Sequence, residues 1–242
     1  MEMPLPGEAP IGRREAGAGN VRRAVVVAHG NLAGSETWLG EHLDSANLIV
    51  AADGGAAALW QLGRCPDVVV GDFDSLPLTR RRALEERGCV FEPHSRDKDQ
   101  TDTELALLAA RRLGARSITV LGAMGGPRLD HALANVFLLA MPELRDVDVQ
   151  ILDARHTLRL LRGPAETRLT GRTGDLVTRL PLTEAVRGVT TDSLRFPLDD
   201  GLLDLGRGRG VSNEMTSNEA GVRVREGLLL VVQHRLAGDN QE

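Results

Sequence analysis

Residues 48–55 read Leu48-Ile49-Val50-Ala51-Ala52-Asp53-Gly54-Gly55. Five apolar residues in succession, without alternation, predict a strand covered on both faces, as in a parallel sheet. The acid that follows at once, Asp53, then sits at the carboxyl end of that strand. Working outward, the same grammar repeats in Ala24–Ala28, Val68–Val70, Cys89–Phe91, Ile118–Leu121 and Val147–Leu152. Helical patterns separate them: Thr79–Arg87, Thr101–Leu113 and His131–Leu139. In the second of these Leu105, Leu108, Ala109 and Leu113 form the predicted inner side, and Gly114 stands where a helix C-cap wants glycine. Strand–helix alternation at this spacing predicts an α/β domain with a mostly parallel sheet.

From about Arg155 the pattern changes. Turn pairs such as Gly163-Pro164, Thr173-Gly174, Asp200-Gly201 and Glu226-Gly227 punctuate short segments: Leu158–Leu161, Asp175–Leu180, Gly221–Arg225 and Leu228–His234. Val222 and Val224 alternate with Arg223 and Arg225, a half-exposed strand whose predicted buried partner is the Leu-Val run that follows. The expected organisation is a flexible tail over 1–20, an α/β catalytic domain over 21–155, and a small antiparallel β-sandwich over 156–238.

Composition narrows the function. The chain has 242 residues and a formal net charge of −5. Its 29 Lys+Arg are outnumbered by 34 Asp+Glu, which argues against a general nucleic-acid binder. No apolar run reaches the ~18 residues of a membrane span, and the first twenty residues lack the apolar core of a signal peptide. The expectation is a cytoplasmic protein with no nucleic-acid or membrane partner. Cys65 and Cys89 form neither a disulfide framework nor a metal knuckle and read as unlinked thiols. Lys98 is the only lysine.

The acids fall at telling places. Asp53, then Asp72 and Asp74 in Gly71-Asp72-Phe73-Asp74-Ser75, then Asp97, Asp99 and Asp102, then Asp130 in Gly125-Gly126-Pro127-Arg128-Leu129-Asp130-His131, each follow a predicted strand. In a parallel sheet those points share one edge, where open α/β folds bind ligands. Converging carboxylates repel unless a cation joins them, and hard oxygen ligands select Mg²⁺, which completes its shell with water and phosphates. Glycine pairs admit an anion to the backbone, Thr101 can cap the helix beginning at Asp102, and Lys98 and Arg128 supply positive charge. His29, beside Asn31, reads as an edge histidine. There is no GxxxxGK[ST], no GxGxxG after the first strand and no Gly-x-Ser-x-Gly elbow. The set reads as a metal–nucleoside-polyphosphate site.

These stretches resemble the bacterial thiamine pyrophosphokinase family, in Ala51–Ala56, Pro66–Ser75, Lys98–Asp102 and Gly125–His131 running to Asn135. The second domain resembles it too, in Gly188–Thr191, Leu194–Leu198 and Val211–Glu214. The resemblance implies transfer of a diphosphate from ATP to the hydroxyl of thiamine, giving thiamine diphosphate and AMP. It also implies a homodimer with shared active sites. Carried over by motif, Asp72, Asp74 and Asp102 hold Mg²⁺ and, with Lys98, make up the catalytic set. Asp53, Gly54, Gly55, Thr101, Gly125, Gly126, Arg128, Asp130 and His131 surround ATP, and Ser212 and Asn213 contact thiamine. Phe196 is the only aromatic in the second domain, so Met215 or the Leu-rich strand is expected to pack on the thiamine ring. The alternatives are a hydroxymethylpterin diphosphokinase, disfavoured by Ser212-Asn213, and a catalytically silent nucleotide-binding module, disfavoured by the intact acids.

Overall fold

The computed structural model describes residues 22–30, 32 and 36–236. The expected tail over 1–20, Asn31 and the last residues toward 238 lie outside that range. Two compact units divide the chain, Met1–Val149 and Gln150–Glu242.

In the first unit the elements run β1 (Arg22–Val27), α1 (Glu36–Ser45), β2 (Leu48–Ala52), α2 (Gly55–Gln61), β3 (Val68–Gly71), α3 (Leu78–Glu86), β4 (Val90–Pro93), α4 (Asp102–Arg112), β5 (Ala115–Leu121) and α5 (Leu129–Leu138). The five strands are parallel, in spatial order β5-β1-β2-β3-β4. The continuous apolar runs occupy the centre: every residue of β2 is buried, as are the last four of β1. At the edge, β4 has no fully buried residue, and its Val90 is exposed.

The buried stripe of α4 is not the leucine side expected from sequence. Thr103, Ala106, Leu107 and Ala110 face inward with Ala109, which is buried as expected, while Leu105, Leu108 and Leu113 are only half-buried. Ala106, Ala109 and Ala110 let the helix approach the sheet closely, with Leu107 the one large side chain on the buried side. Gly114 does end the helix in a left-handed conformation, φ +91°. On α5 the apolar residues Leu129, Leu133 and Phe137 form a stripe of period four that is 71, 51 and 59% exposed.

The second unit follows β6 (Asp148–Leu152) with β7 (His156–Arg162), β8 (Ala165–Thr170), β9 (Leu176–Pro181), β10 (Ala185–Asp192), β11 (Gly201–Asp204), β12 (Asn213–Glu214), β13 (Glu219–Val224) and β14 (Leu228–His234). One antiparallel arrangement runs β12-β9-β14-β7-β6 and the other β11-β10-β13-β8. Leu161, Val177, Leu229 and Val231 from the first pack with Leu169, Val186, Val189, Leu203, Val222 and Val224 from the second, forming one core. Burying each such side chain contributes about 1.5–3 kcal/mol.

One expectation is extended here and one changes. Val147–Leu152 is a strand as expected, over Asp148–Leu152, and it also pairs antiparallel with β7. The Leu-Val run of β14 is not the partner of β13, because β13 lies between β8 and β10 while β14 lies between β7 and β9. The tight turn at Gly227, φ +96°, carries the chain from one sheet to the other, so adjacency in sequence is not pairing here.

Candidate active site

Strand order places a topological switch point between β1 and β5, whose following loops depart in different directions. A cleft of about 440 Å³ opens there. Ala28, His29 and Gly30 after β1 and Gly122, Ala123, Gly126, Pro127 and Arg128 after β5 line it, with Asp53, Arg96, Lys98, Gln100, Thr101, Asp102, His131 and Asn135. The two loops cross closely: Gly30 donates to Gly122 O at 2.7 Å, and a Cβ on Gly30 would lie 2.1 Å from that oxygen.

Asp53, Asp72 and Asp74 converge, each offering a carboxylate oxygen within 4.8 Å of the other two. Local backbone makes this possible. Asp53 turns out of β2 at φ +37° and Phe73 out of β3 at φ +62°. For a bulky residue such as Phe73 a left-handed conformation is uncommon and is held only by its surroundings. Here the Phe73 ring is 8% exposed, packs edge-on against Phe91 at 5.1 Å, and lies under the Arg81 guanidinium at 4.9 Å. With the ring anchored inward, Asp72 and Asp74 on either side are turned outward. Asp74 N–H donates to Asp72 Oδ1 at 3.1 Å, fixing the turn. Gly71 leaves room for this packing, since a Cβ there would stand 2.9 Å from Asp53 Cβ.

Asp102 is adjacent but is not one of the three converging acids. Its Oδ1 is 3.1 Å from Lys98 Nζ, an ion pair whose angle misses hydrogen-bond geometry, so that oxygen keeps its lone pairs. Lys98 Nζ also donates to Ser95 O at 3.0 Å, and only 14% of its side chain is exposed. Thr101 caps α4 as expected, its hydroxyl accepting from Glu104 N–H at 3.2 Å. Burial raises the Asp53 carboxyl above its ordinary range; Ser75 pulls the other way, and the charges of Asp102, Asp72 and Asp74 raise it further. Its Oδ1 is buried without a hydrogen-bond partner. An orphaned carboxylate oxygen among three acids is the donor set a hard divalent cation fits, and the residues present fit Mg²⁺.

Other expected site residues stand differently. A Cβ on Gly54 would strike the His29 ring at 1.7 Å, and one on Gly55 would lie 2.0 Å from Val27 O. These glycines therefore admit neighbouring protein atoms, and neither lines the cleft, nor does Gly125. Arg128 makes a two-point ion pair with Asp130 on the surface, Nε to Oδ1 at 2.9 Å and Nη2 to Oδ2 at 2.5 Å, which holds the Asp130 carboxyl well below its ordinary range. Asn135, half-buried, donates to Ala123 O at 2.8 Å and ties α5 to the glycine loop.

In the second unit Ser212 is exposed at φ +54°, its N–H donating to Thr178 Oγ1 at 3.0 Å. The Asn213 amide is 2% exposed and already engaged: it accepts from Phe196 N–H at 3.0 Å and donates to Phe196 O at 2.7 Å. It therefore braces the Phe196 loop. Phe196 itself is 62% exposed, with Arg195 stacked over its ring. Met215 is 1% exposed inside the sandwich core and presents no surface to a ligand, which removes it as a packing partner for the thiamine ring.

An acid cluster beside a cleft at the switch point of a parallel sheet, with a capped helix start and fixed cations on its wall, defines the catalytic domain of a kinase-type transferase. The thiamin pyrophosphokinase catalytic domain matches residues 39–151, and the thiamin pyrophosphokinase vitamin B1 binding domain matches residues 156–229. The chain belongs to the thiamin pyrophosphokinase family. It is 26% identical over 193 residues to the thiamine pyrophosphokinase of Bacillus subtilis, covering 79% of this chain and 89% of that one. A crystal structure of the thiamine pyrophosphokinase from Bacillus subtilis superposes with a TM-score of 0.78 at 25% identity, covering 89% of this chain and all of that one. The thiamin pyrophosphokinase from Geobacillus thermodenitrificans gives 0.74 at 26% identity, covering 90% and 99%.

Proposed function

We infer that this protein is a thiamine diphosphokinase, transferring the terminal diphosphate of ATP to the hydroxyl of thiamine and releasing AMP. The observation that carries the reading is the match of both family domains, catalytic then vitamin B1 binding, in order along one chain. Asp53, Asp72 and Asp74 are the acids we assign to Mg²⁺, with Asp102 beside them. When bound, the ion neutralises phosphate charge and fixes the polyphosphate for in-line attack. The start of α4, capped by Thr101, offers N–H groups to phosphate oxygens, and Lys98 supplies a compact cation at the same wall. Arg128 exchanges its surface partner Asp130 for a phosphate in this scheme. The attack itself depends mainly on positioning and charge neutralisation. Asn213 acts through the Phe196 loop, and Ser212 is the side chain left free to touch thiamine.

We also assign the protein to a cytoplasmic homodimer. Among the described residues no helix is long and apolar enough to cross a membrane. The exposed Leu129–Leu133–Phe137 stripe supports a second copy, since such a face is unfavourable in water. Incubation with ATP, Mg²⁺ and thiamine tests the activity: AMP and thiamine diphosphate in equal amounts are expected, and ADP refutes diphosphate transfer. Sedimentation tests the dimer, with twice the 26.0 kDa chain mass expected and an active single chain refuting it.

A further inference from the structure

Arg179 of β9 is a buried charge that the fold leaves unanswered. It pairs with Val231 of β14, and Val231 and Val177 both belong to the sandwich core, so the Arg179 side chain is on the face turned toward the second sheet. The residue is 2% exposed. Its Nε and Nη1 are buried with no hydrogen-bond partner, and among the described residues no carboxylate pairs with it. A guanidinium keeps its proton in a protein, so the charge persists and calls for an anion. Burial lowers its proton affinity, and so does the neighbouring cation Arg209.

The surroundings suit an oxyanion. Arg179 N–H donates to Gly210 O at 2.9 Å, and a Cβ on Gly210 would lie 2.0 Å from Arg179 O. The turn Gly206-Arg207-Gly208-Arg209-Gly210 is therefore pressed against β9, and it contains three glycines and no acid. Arg209 Nη1 donates to Leu202 O of β11 at 3.1 Å, so its guanidinium spans from the turn to the second sheet at this same edge. Two guanidiniums that form no ion pair among the described residues present planar forks that match pairs of oxygens on phosphate. Glycines in the turn let backbone N–H groups approach the same ligand.

We propose that the edge of the sandwich between β9, the Gly206–Gly210 turn and β11 is a binding site for a phosphate-sized oxyanion, held between Arg179 and Arg209. Thiamine is a cation and is repelled by this pair. Ser212, the proposed thiamine contact, bonds to Thr178, which alternates with Arg179 and so leaves from the other face of β9. The proposal does not rest on the reading of the catalytic cleft.

The test is calorimetric titration of the full chain with inorganic phosphate, without nucleotide or metal, for the native protein, Arg179→Met and Arg209→Gln. Arg128→Gln is included because Arg128 offers phosphate a second place to bind. The expected result is a loss of affinity of about tenfold or more in Arg179→Met and Arg209→Gln, with the tight phase kept in Arg128→Gln. Arg179→Met is also expected to melt above the native protein in chloride buffer and to lose the rise that phosphate gives the native protein. Phosphate binding unchanged in Arg179→Met, or lost only in Arg128→Gln, overturns the proposal. Should Arg179→Met fail to fold, Arg209→Gln, at an exposed position, decides it by the same criterion. Thiamine diphosphate in place of phosphate separates the sources of the anion. Tighter binding that still needs Arg179 assigns the site to a phosphoryl ester, and equal or weaker binding assigns it to free phosphate.

Discussion

Asp53→Asn isolates the cost of assembling the acid cluster. Asn keeps the side-chain volume and tolerates the left-handed backbone, φ +37°, that Asp53 adopts, so the change removes charge and little else. Unit charges 4.8 Å apart repel by about 3.5 kcal/mol at an effective dielectric of 20, before screening by the water around half-exposed Asp72 and exposed Asp74. After that discount, relief of about 1–3 kcal/mol is expected in metal-free protein, or about 3–9 °C in melting temperature. The pH dependence has a definite sign. A carboxyl whose folded pKa is raised destabilises the native state above that pKa, and the penalty disappears as pH falls through it and the group takes up its proton. Thermal melts in chelator should therefore show Asp53→Asn above the native protein at neutral pH, with the two converging on acidification. Saturating Mg²⁺ should raise the native protein more than the variant. A variant less stable than native in chelator at neutral pH would refute the claim that these carboxylates stand against one another.

Other substitutions probe the same construction. Asp72→Asn or Asp74→Asn should cut turnover by about 10²–10³-fold with far-ultraviolet circular dichroism unchanged, and near-normal turnover with Mg²⁺ counts against their role as ligands. Phe73→Ala removes the anchor of the acid turn; a loss of about 3–5 kcal/mol in denaturant unfolding should accompany weakened Mg²⁺ affinity. Gly55→Ala places a methyl group 2.0 Å from Val27 O, and a loss of about 1–3 kcal/mol or more is expected from thermal melts. Asp153 has its carboxyl lowered: burial opposes this, but hydrogen bonds from Arg155 N–H and from the N–H and ring of His156 prevail. Its stabilisation is present above the unfolded carboxylate pKa and lost as pH falls through the lowered one. Asp153→Asn should therefore be less stable than native at neutral pH and equal to it in strong acid.

The parts of this architecture that were readable in sequence are those where burial is continuous. The runs at β1, β2 and β3 are apolar because both faces are covered, and the acids that follow them land at one edge by the geometry of parallel strands. α2 was not visible because Ala56-Ala57-Ala58-Leu59-Trp60 carries no amphipathic period. β8 was not visible because Glu166, Thr167 and Arg168 give it a polar composition. The inward face of α4 differs from the leucine pattern because Ala106, Ala109 and Ala110 with Leu107 are buried there, while Leu105, Leu108 and Leu113 stay half-buried. Membership of the acid cluster depends on φ at Asp53 and Phe73, which composition does not reveal, so Asp53 rather than Asp102 completes the converging three. Arg179 alternates correctly with its neighbours as a strand residue, and nothing in Leu176–Pro181 distinguishes a charge turned inward from one turned out.

Lys98 has a practical consequence. Every other basic side chain is arginine, so a reagent selective for side-chain amines has a single address in the sequence, on the wall of the cleft between Ser95 and Asp102. A fluorophore coupled there reports from one defined place. Because that amine is mostly covered, its rate of labelling becomes a clock for how often the wall opens, and a ligand that seats against Asp102 should slow the clock.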